Sequence, residues 1–281
     1  MSTDGGTDGH AHSNTPSAFL PRCKNSENLS EIQHKEKLIN VGTLNCQSLR
    51  NKVCKVAEHL INNNIDMCFL QETFMKQHDT AIISELEENS FKMFSFPRND
   101  GREHGGLGVI SKFQIKLKCN KSSTSNTYKT FEHFEATMKT NQGLIRFCNI
   151  YRPPYSEKHR FTISQFLVEF EEYLKTLVLK PGYSILVGDL NIHMEKVNDH
   201  NTHAFTDILN SYGFVQTVSQ GVKTQVSGGI LDLIIVSDDL PHDVKYVNTL
   251  PHGTPSDHFL VYCEINCALN LVDHYSIQMF R

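Results

Sequence analysis

Apolar and polar positions alternate in short stretches from residue 37 onward, with periods that predict strands and helices in mixed order. Residues 38–44 alternate with a period of two, as in a half-buried strand. Residues 51–64 then place apolar side chains at helical spacing, and residues 65–70 form an apolar run typical of a buried strand. This order predicts a β-α-β unit at the start of the folded region.

The second half of the chain adds a hairpin and further crossovers. Strand-like runs at 131–138 and 144–150 are joined by a short polar segment that ends in Gly143, which predicts a hairpin. Apolar residues at helical spacing over 163–177 predict an amphipathic helix that ends before Pro181. Other runs predict three strands and one helix, at 184–187, 230–236, 259–265 and 203–211. Because hairpins and crossovers are mixed, we predict an α/β fold of mixed sheets covered by helices rather than a regular barrel.

The apolar pattern also predicts the domain organisation. Residues 1–36 contain few apolar side chains and are predicted to be a disordered polar leader. Residues 37–268 show neither an internal repeat nor a linker, so a single domain is expected there. Residues 269–281 are left as a short C-terminal tail.

Charge and hydropathy exclude several classes of protein. The chain has 27 Lys and Arg against 31 Asp and Glu, a net charge of -4, so no global positive field attracts it to a polyanion. Apolar runs are much shorter than the roughly 18 residues of a membrane-spanning helix. The N-terminus has no apolar segment after a basic start. We therefore expect an intracellular protein that is not secreted and has no membrane partner; its oligomeric state is open and a monomer is assumed.

The cysteines are expected to be buried thiols. Most of the eight lie within apolar runs, as Cys68 and Cys148 do, and no C-x-x-C spacing occurs. Disulfides and a structural zinc are therefore not predicted.

Polar side chains stand where the predicted strands end or are interrupted. They include four acidic residues, Glu72, Asp189, Asp232 and Asp257. Carboxylates beside buried apolar runs are costly unless they are paired or bind a cation, and His258 alone cannot offset four of them. Oxygen ligands favour Mg²⁺ or Mn²⁺ over zinc. Since Mg²⁺ commonly works beside phosphate oxygens, phosphate-ester hydrolysis is the predicted chemistry.

Each of these features also has a structural interpretation when it is considered alone. Asn45 can be a turn residue, and Ser256 with Asp257 can cap an element. The glycines at 105, 106 and 108 are interpreted as a tight turn into a strand rather than as a phosphate-binding loop, because no Walker-type Lys-Ser or Lys-Thr follows.

Six short segments occur in an order that resembles a known family. They are residues 44–50 (LNCQSLR), 70–73 (LQET), 150–154 (IYRPP), 188–191 (GDLN), 231–234 (LDLI) and 256–258 (SDH). Together they resemble the endonuclease/exonuclease/phosphatase superfamily, and most of all the apurinic-type endonuclease domain of non-LTR (LINE-like) retrotransposons. Gln47 departs from the pattern, since many relatives carry Asp or Asn there.

The resemblance implies a four-layer α-β-β-α sandwich, in which helices flank two facing mixed sheets, with the site at one edge. It implies that Glu72 holds the metal, with Asn45 and Asp257 nearby. The implied catalytic group consists of Asp189, which orients or deprotonates water, Asn191, which steadies the phosphate, Tyr151, which contacts the phosphate or leaving group, and His258, which is oriented by Asp232. Thr224 and Ser256 resemble the supporting hydrogen-bond positions.

DNA is the expected substrate, and cleavage to a 3′-hydroxyl is implied by the resemblance. The absence of Trp disfavours the inositol-phosphatase relatives. Within the cell, the nucleus is one candidate location. Local basic residues are expected to bind phosphates: Arg50, Lys52, Arg98, Arg102, Arg152 and Lys223. The alternatives are a phosphomonoesterase, an RNA-directed nuclease, and a catalytically silent remnant that only binds nucleic acid or a protein partner.

Overall fold

Strands and helices follow one another along the chain in the mixed order that the sequence predicts. A computed structural model describes residues 37–98, 104–120, 128–157, 160–250, 253 and 256–267. The predicted leader (1–36) and tail (269–281) lie outside these residues. The elements are β1 (Lys37–Asn45), α1 (Val53–Asn62), β2 (Met67–Gln71), α2 (Thr80–Glu88), β3 (Phe91–Phe96), β4 (Leu107–Lys112), β5 (Leu117–Asn120), β6 (Glu132–Thr140), β7 (Gly143–Tyr151), α3 (Ile163–Leu177), β8 (Tyr183–Asp189), α4 (His200–Ser211), β9 (Phe214–Gln216), β10 (Asp232–Ser237), β11 (Val244–Thr249) and β12 (Val261–Cys267).

The strands form two six-stranded sheets. Their orders are β11-β12-β1-β2-β4-β3 and β5-β6-β7-β8-β10-β9. Each sheet is mixed, because β1 with β2 and β7 with β8 are parallel while the other neighbours are antiparallel. The parallel pairs matter for the site, since they bring the carboxyl ends of adjacent strands to the same edge.

The sheets face each other across a shared apolar core. Phe69 of β2 stacks on Phe147 of β7, with ring centroids 5.3 Å apart. On the outer side of the first sheet, α1 buries its apolar face in a cluster that includes Leu44 and Leu70. On the other side, Phe170 of α3 contacts Phe205 of α4 at 5.3 Å. The predicted four-layer sandwich is confirmed.

Several predicted elements are confirmed in detail. The β-α-β unit is present, and β1 pairs with β2 in parallel. The hairpin is formed by β6 and β7, and α3 spans the predicted 163–177. A capping box between Thr162 and Gln165 fixes the start of α3, because each side chain bonds to the backbone of the other residue.

The described cysteines are free thiols, as predicted. Five are buried, Cys54 is exposed and Cys119 is half-buried. Among the described residues, none of the helices is long and apolar enough to span a membrane.

Candidate active site

Strand register brings the polar strand ends of the second sheet side by side. Tyr151 at the end of β7 pairs with Asp189 at the end of β8. Asp189 in turn pairs with Asp232 at the start of β10. In the first sheet, Asn45 pairs with Gln71, so Glu72 follows directly at the same edge. Side chains of a strand alternate between faces, which is why Asn45, Gln71, Tyr151 and Asp189 continue the inward-facing rows of the core. Glu72 lies beyond the end of β2 and has a φ of +51°, so it does not follow that alternation.

Asn45 links the two sheets at this edge. Its Nδ2 donates to Glu72 Oε1 and to Asp189 Oδ2, both at 2.9 Å. The hydroxyl of Tyr151 also donates to Glu72 Oε1, at 2.7 Å. The Asn45 Oδ1 atom accepts from the backbone N–H of Gln47 at 3.2 Å. The Asn45 nitrogen thus bridges two carboxylates, and its oxygen keeps a second lone pair, so the metal contact implied for Asn45 stays a prediction.

Asp189 is a buried carboxylate that accepts hydrogen bonds from Asn45 of β1 and from Asn191, which follows β8. It is 1% exposed. The backbone N–H of Asn191 donates to its Oδ1 at 3.0 Å, and the Asn191 side chain donates to its Oδ2 at 3.2 Å. Burial, reinforced by the nearby carboxylate of Asp232, raises the pKa of Asp189 to about 7. Asp189 is thus a carboxylate that takes up a proton near neutral pH.

His258 is held by Asp232. Its Nδ1 lies 2.7 Å from Asp232 Oδ2, and its Nε2 lies 4.0 Å from Asp189 Oδ2. Burial alone lowers the pKa of His258, but the carboxylates of Asp232, Asp189 and Asp257 outweigh that effect and raise the pKa to about 10. His258 is therefore an imidazolium at neutral pH, with Nε2 directed toward Asp189.

Thr224 and Ser256 form hydrogen bonds to the backbone behind the site. Thr224 Oγ1 accepts from the backbone N–H groups of Leu231 and Asp232, at 2.9 and 3.1 Å. Ser256 Oγ donates to the carbonyl of Asn45 at 2.7 Å and accepts from the N–H of His258 at 3.2 Å. These bonds fix the starts of the two segments that carry Asp232 and His258.

Gln47 also belongs to this support. Its Oε1 accepts from the backbone N–H of Asp257 at 3.3 Å. The Asp257 side chain is 49% exposed, and its Oδ1 lies 3.7 Å from His258 Nε2. Asp257 is thus the solvent-facing carboxylate of the site.

The donor set fits a divalent cation. The ligand-type atoms of Asp189, Asp232 and His258 lie within 4.8 Å of one another. Of these, the two carboxylates can bind a cation, since a charged His258 ring offers no lone pair. Asp232 Oδ1 is buried and has no hydrogen-bond partner among the described residues. An orphaned, buried carboxylate oxygen beside a second carboxylate is a position where a cation lowers the free energy.

The phosphate contact predicted for Arg152 does not fit its position. The side chain is buried, and its Nη1 donates to the carbonyls of Leu190 and Asn191 at 3.3 and 3.1 Å. Its guanidinium lies 5.3 Å from the centre of the Phe166 ring. Arg152 thus shapes the loop that carries Asn191, because the carbonyls it binds belong to that loop.

Other basic residues predicted to bind phosphate are also engaged elsewhere. Arg50 pairs with Asp79 at 2.7 Å, and Arg98 pairs with Glu132. Lys52 donates to the carbonyls of Cys46 and Gln47. Lys223 is exposed, and Arg102 lies outside the described residues. Among the described members of this set, Lys223 therefore remains the candidate for a phosphate contact.

Two buried amides behind the site received no role in the sequence analysis. Gln71 Nε2 donates to Asn149 Oδ1 at 2.5 Å and to Thr43 Oγ1 at 3.0 Å. Asn149 Nδ2 donates to the carbonyl of Leu70 at 2.9 Å. The alternation along each strand could have located them, since Gln71 and Asn149 each stand two residues after an inward-facing Phe. They tie the two sheets together next to Glu72 and Tyr151.

The glycine segment before β4 is a turn, as predicted. Gly105 and Gly106 have φ angles of +83° and +84°, and their carbonyls accept from the N–H groups of Phe74 and Thr73. This turn is pinned to the segment that follows Glu72.

Gly188 is required by close backbone approach. Its φ is +138°, and a Cβ there would lie 1.9 Å from the carbonyl oxygen of Ile150. We expect Gly188→Ala to lower the free energy of unfolding by at least about 3 kcal/mol, because β7 and β8 must separate to admit the methyl group. Urea denaturation followed by circular dichroism measures this. Gly221→Ala is the matched control, since nothing lies within 4 Å of its Cβ position; equal loss in the two variants would contradict the expectation.

Solved structures of low sequence identity share this architecture. The endonuclease domain of TRAS1, a telomere-specific non-LTR retrotransposon, superposes with a TM-score of 0.63 at 13% identity, over 82% of this chain and 99% of that one. An AP endonuclease from Archaeoglobus fulgidus gives 0.63 at 16% identity, over 80% and 98%. A mannosyl-6-phosphatase from Bacteroides thetaiotaomicron gives 0.59 at 15% identity, over 81% and 99%. At these identities the likeness shows the fold, which both nucleases and phosphatases use.

The sequence itself places the chain within a family. No curated protein matches it. The model of the Endonuclease/Exonuclease/phosphatase family matches residues 42–258, a span that begins in β1 and ends at His258. That span contains all of the candidate site residues described above. The chain therefore belongs to the Endonuclease/Exonuclease/phosphatase family.

Proposed function

We propose that this protein is a Mg²⁺-dependent endonuclease that hydrolyses a DNA phosphodiester bond and leaves a 3′-hydroxyl. The observation that carries the proposal is the convergence of Asp189 with groups from both sheets. Asp189 is bonded to Asn45 of the first sheet and lies 4.0 Å from His258, which Asp232 holds. A basic carboxylate, amide donors and an imidazolium at one edge are the groups that an attack on phosphorus requires.

Asp189 is assigned the role of general base. Its pKa near 7 matches proton uptake from water at physiological pH, and the two bonds from Asn191 fix its orientation. Asn191 is itself anchored, because its Nδ2 donates to the carbonyl of Arg152 at 2.8 Å. The base is therefore aimed by its neighbours before substrate arrives.

His258 and Tyr151 are assigned to the charge that develops on the phosphate. The imidazolium Nε2 donates a hydrogen bond to a non-bridging oxygen, while Asp232 keeps the ring charged and oriented. The Tyr151 hydroxyl contacts the phosphate or the leaving oxygen. Both groups are preorganised, since each is already held by a carboxylate.

The resemblance assigns a divalent cation to Glu72, with Asn45 and Asp257 nearby, and the buried Asp232 Oδ1 is a further oxygen that would face it. When bound, it supplies positive charge at the phosphate oxygens and lowers the pKa of bound water. Mg²⁺ or Mn²⁺ suits this oxygen-rich set.

DNA is proposed as the substrate because a telomere-specific retrotransposon endonuclease and an AP endonuclease share the fold, and because the sequence segments resemble that group. The net charge of -4 predicts weak, salt-sensitive binding that depends on local groups. We propose action inside the cell, with the nucleus as one candidate compartment.

A plasmid-nicking assay tests the proposal. We expect Mg²⁺ to support conversion of supercoiled to open-circular DNA, and excess EDTA to abolish it. Extension of the nicks by a DNA polymerase without prior end repair reports the 3′-hydroxyl. The mannosyl-6-phosphatase neighbour makes a phosphomonoesterase the second candidate. Turnover of a phosphomonoester without nicking would replace the proposal with that activity, and DNA binding without hydrolysis of DNA, RNA or a phosphomonoester would indicate a silent remnant.

A further inference from the structure

Arg98 lies against Tyr151, although no sequence motif points to that contact. The Arg98 guanidinium carbon is 5.9 Å from the centre of the Tyr151 ring. The Arg98 side chain is only 7% exposed and forms an ion pair with Glu132. A guanidinium at this distance from an aromatic ring is attracted by the ring's electron density, and burial strengthens the attraction.

Glu132 and the turn at Gly105 and Gly106 enclose the guanidinium. Glu132 is the cross-strand partner of Tyr151, so its side chain leaves the backbone beside the Tyr151 ring. The other Glu132 oxygen accepts from the N–H of Gly106 at 3.0 Å. A Cβ on Gly105 would lie 2.4 Å from the Arg98 guanidinium carbon. The turn at Gly105 and Gly106 is thus shaped around this side chain.

The arrangement is not the best one for stability. Arg98 Nε is buried and has no hydrogen-bond partner among the described residues. An unsatisfied buried donor weakens the fold, and Arg146 Nε, whose guanidinium pairs with Glu135, is in the same state. Tyr151, by contrast, gains a fixed ring, and its hydroxyl bonds to Glu72 at 2.7 Å.

We propose that Arg98 is a positioning residue for Tyr151, and that its guanidinium fixes the ring so that the hydroxyl is directed at the phosphate from its place beside Glu72. The inference rests on the proposed hydrolysis of a phosphate ester. It gives the segment between β3 and β4 a role in the site, although Arg98 lies outside the six sequence segments that resemble the family.

Kinetics of single and double variants test this role. We expect R98Q to lower kcat for nicking about tenfold while KM stays within about twofold, because substrate binding is retained and the ring alone is released. R98K keeps a cation beside Glu132 and the ring, so it should recover part of the loss. In a Y151F background, R98Q should lower kcat little further, since the hydroxyl that Arg98 positions is already absent. An equal R98Q loss in both backgrounds would overturn the inference.

A second readout separates this inference from the proposed function. With 3-fluorotyrosine incorporated, the Tyr151 fluorine resonance is assigned from its loss in Y151F. We expect R98Q to shift or broaden that resonance and to leave the exposed Tyr155 unchanged. An inactive wild type with a shifted resonance would reject the function but keep the contact. An active wild type with an unmoved resonance and an unchanged kcat would reject the role of Arg98 alone.

Discussion

Replacing Asp189 by Asn is expected to lower kcat for metal-dependent DNA nicking about 10³-fold, the middle of the range for losing a general base. The substitution keeps the size of the side chain and removes the charge and the basic oxygen. It also places an amide N–H where donors from Asn45 and Asn191 already point. The base and its alignment are therefore lost together, while the buried sheet around it is retained.

Asp239→Asn is the matched control for this variant. Asp239 is exposed and lies just beyond the far end of β10, whose near end carries Asp232. We expect wild-type nicking from it. Nicking by Asp189→Asn within about tenfold of wild type would remove Asp189 from the chemistry and with it the central assignment of the site.

The elements with a clear period were predictable from the sequence. In β1, Ile39 and Val41 face the opposite sheet and Asn45 continues the same row, so the alternation that defines the strand also directs the amide inward. In α3, the apolar positions and the capping box agree on the same helix. Where the sequence pattern of an element agrees with its burial in the fold, the sequence alone is sufficient to predict that element.

Elements held by weak or irregular local signals were not predicted. Helix α2 buries only Leu86 and has no side-chain cap, so its pattern is faint. Strand β9 has three residues, and β11 changes register between Lys245 and Asn248. These segments form strands and helices because they pack or pair with neighbouring elements, and a single sequence does not reveal those contacts.

Residue identity predicted which groups meet at the site better than it predicted how they pair. Asn45 was expected to offer its oxygen to a metal, and nothing in the sequence indicated that its amide nitrogen bridges two carboxylates. Arg152 was expected at the substrate, whereas its carbonyl partners turn it inward. Orientation follows from the contacts of each group, and those contacts depend on strands that are distant in sequence.

The pH dependence of Asp232→Asn gives the sharpest test of the His258 pair. In the wild type, the carboxylates raise the pKa of His258 to about 10, so the imidazolium persists through neutral pH and is lost as pH rises through that value. In the variant the nearest carboxylate is gone, while burial still opposes protonation. The pKa of His258 should fall well below its wild-type value, and the ring should be neutral under mildly alkaline conditions.

The loss of activity in Asp232→Asn should therefore grow with pH. We expect kcat to fall about 10²-fold at a pH near 8 and distinctly less at a pH near 6, where the imidazole regains its proton. The ratio of variant to wild-type kcat across pH measures this, and NMR titration of the His258 ring proton measures the pKa directly. A loss of equal size at every pH, with an unshifted His258 titration, would show that Asp232 acts through folding rather than through the charge of His258. The sign is diagnostic, because removing a partner that stabilises a proton confines the protonated form to lower pH.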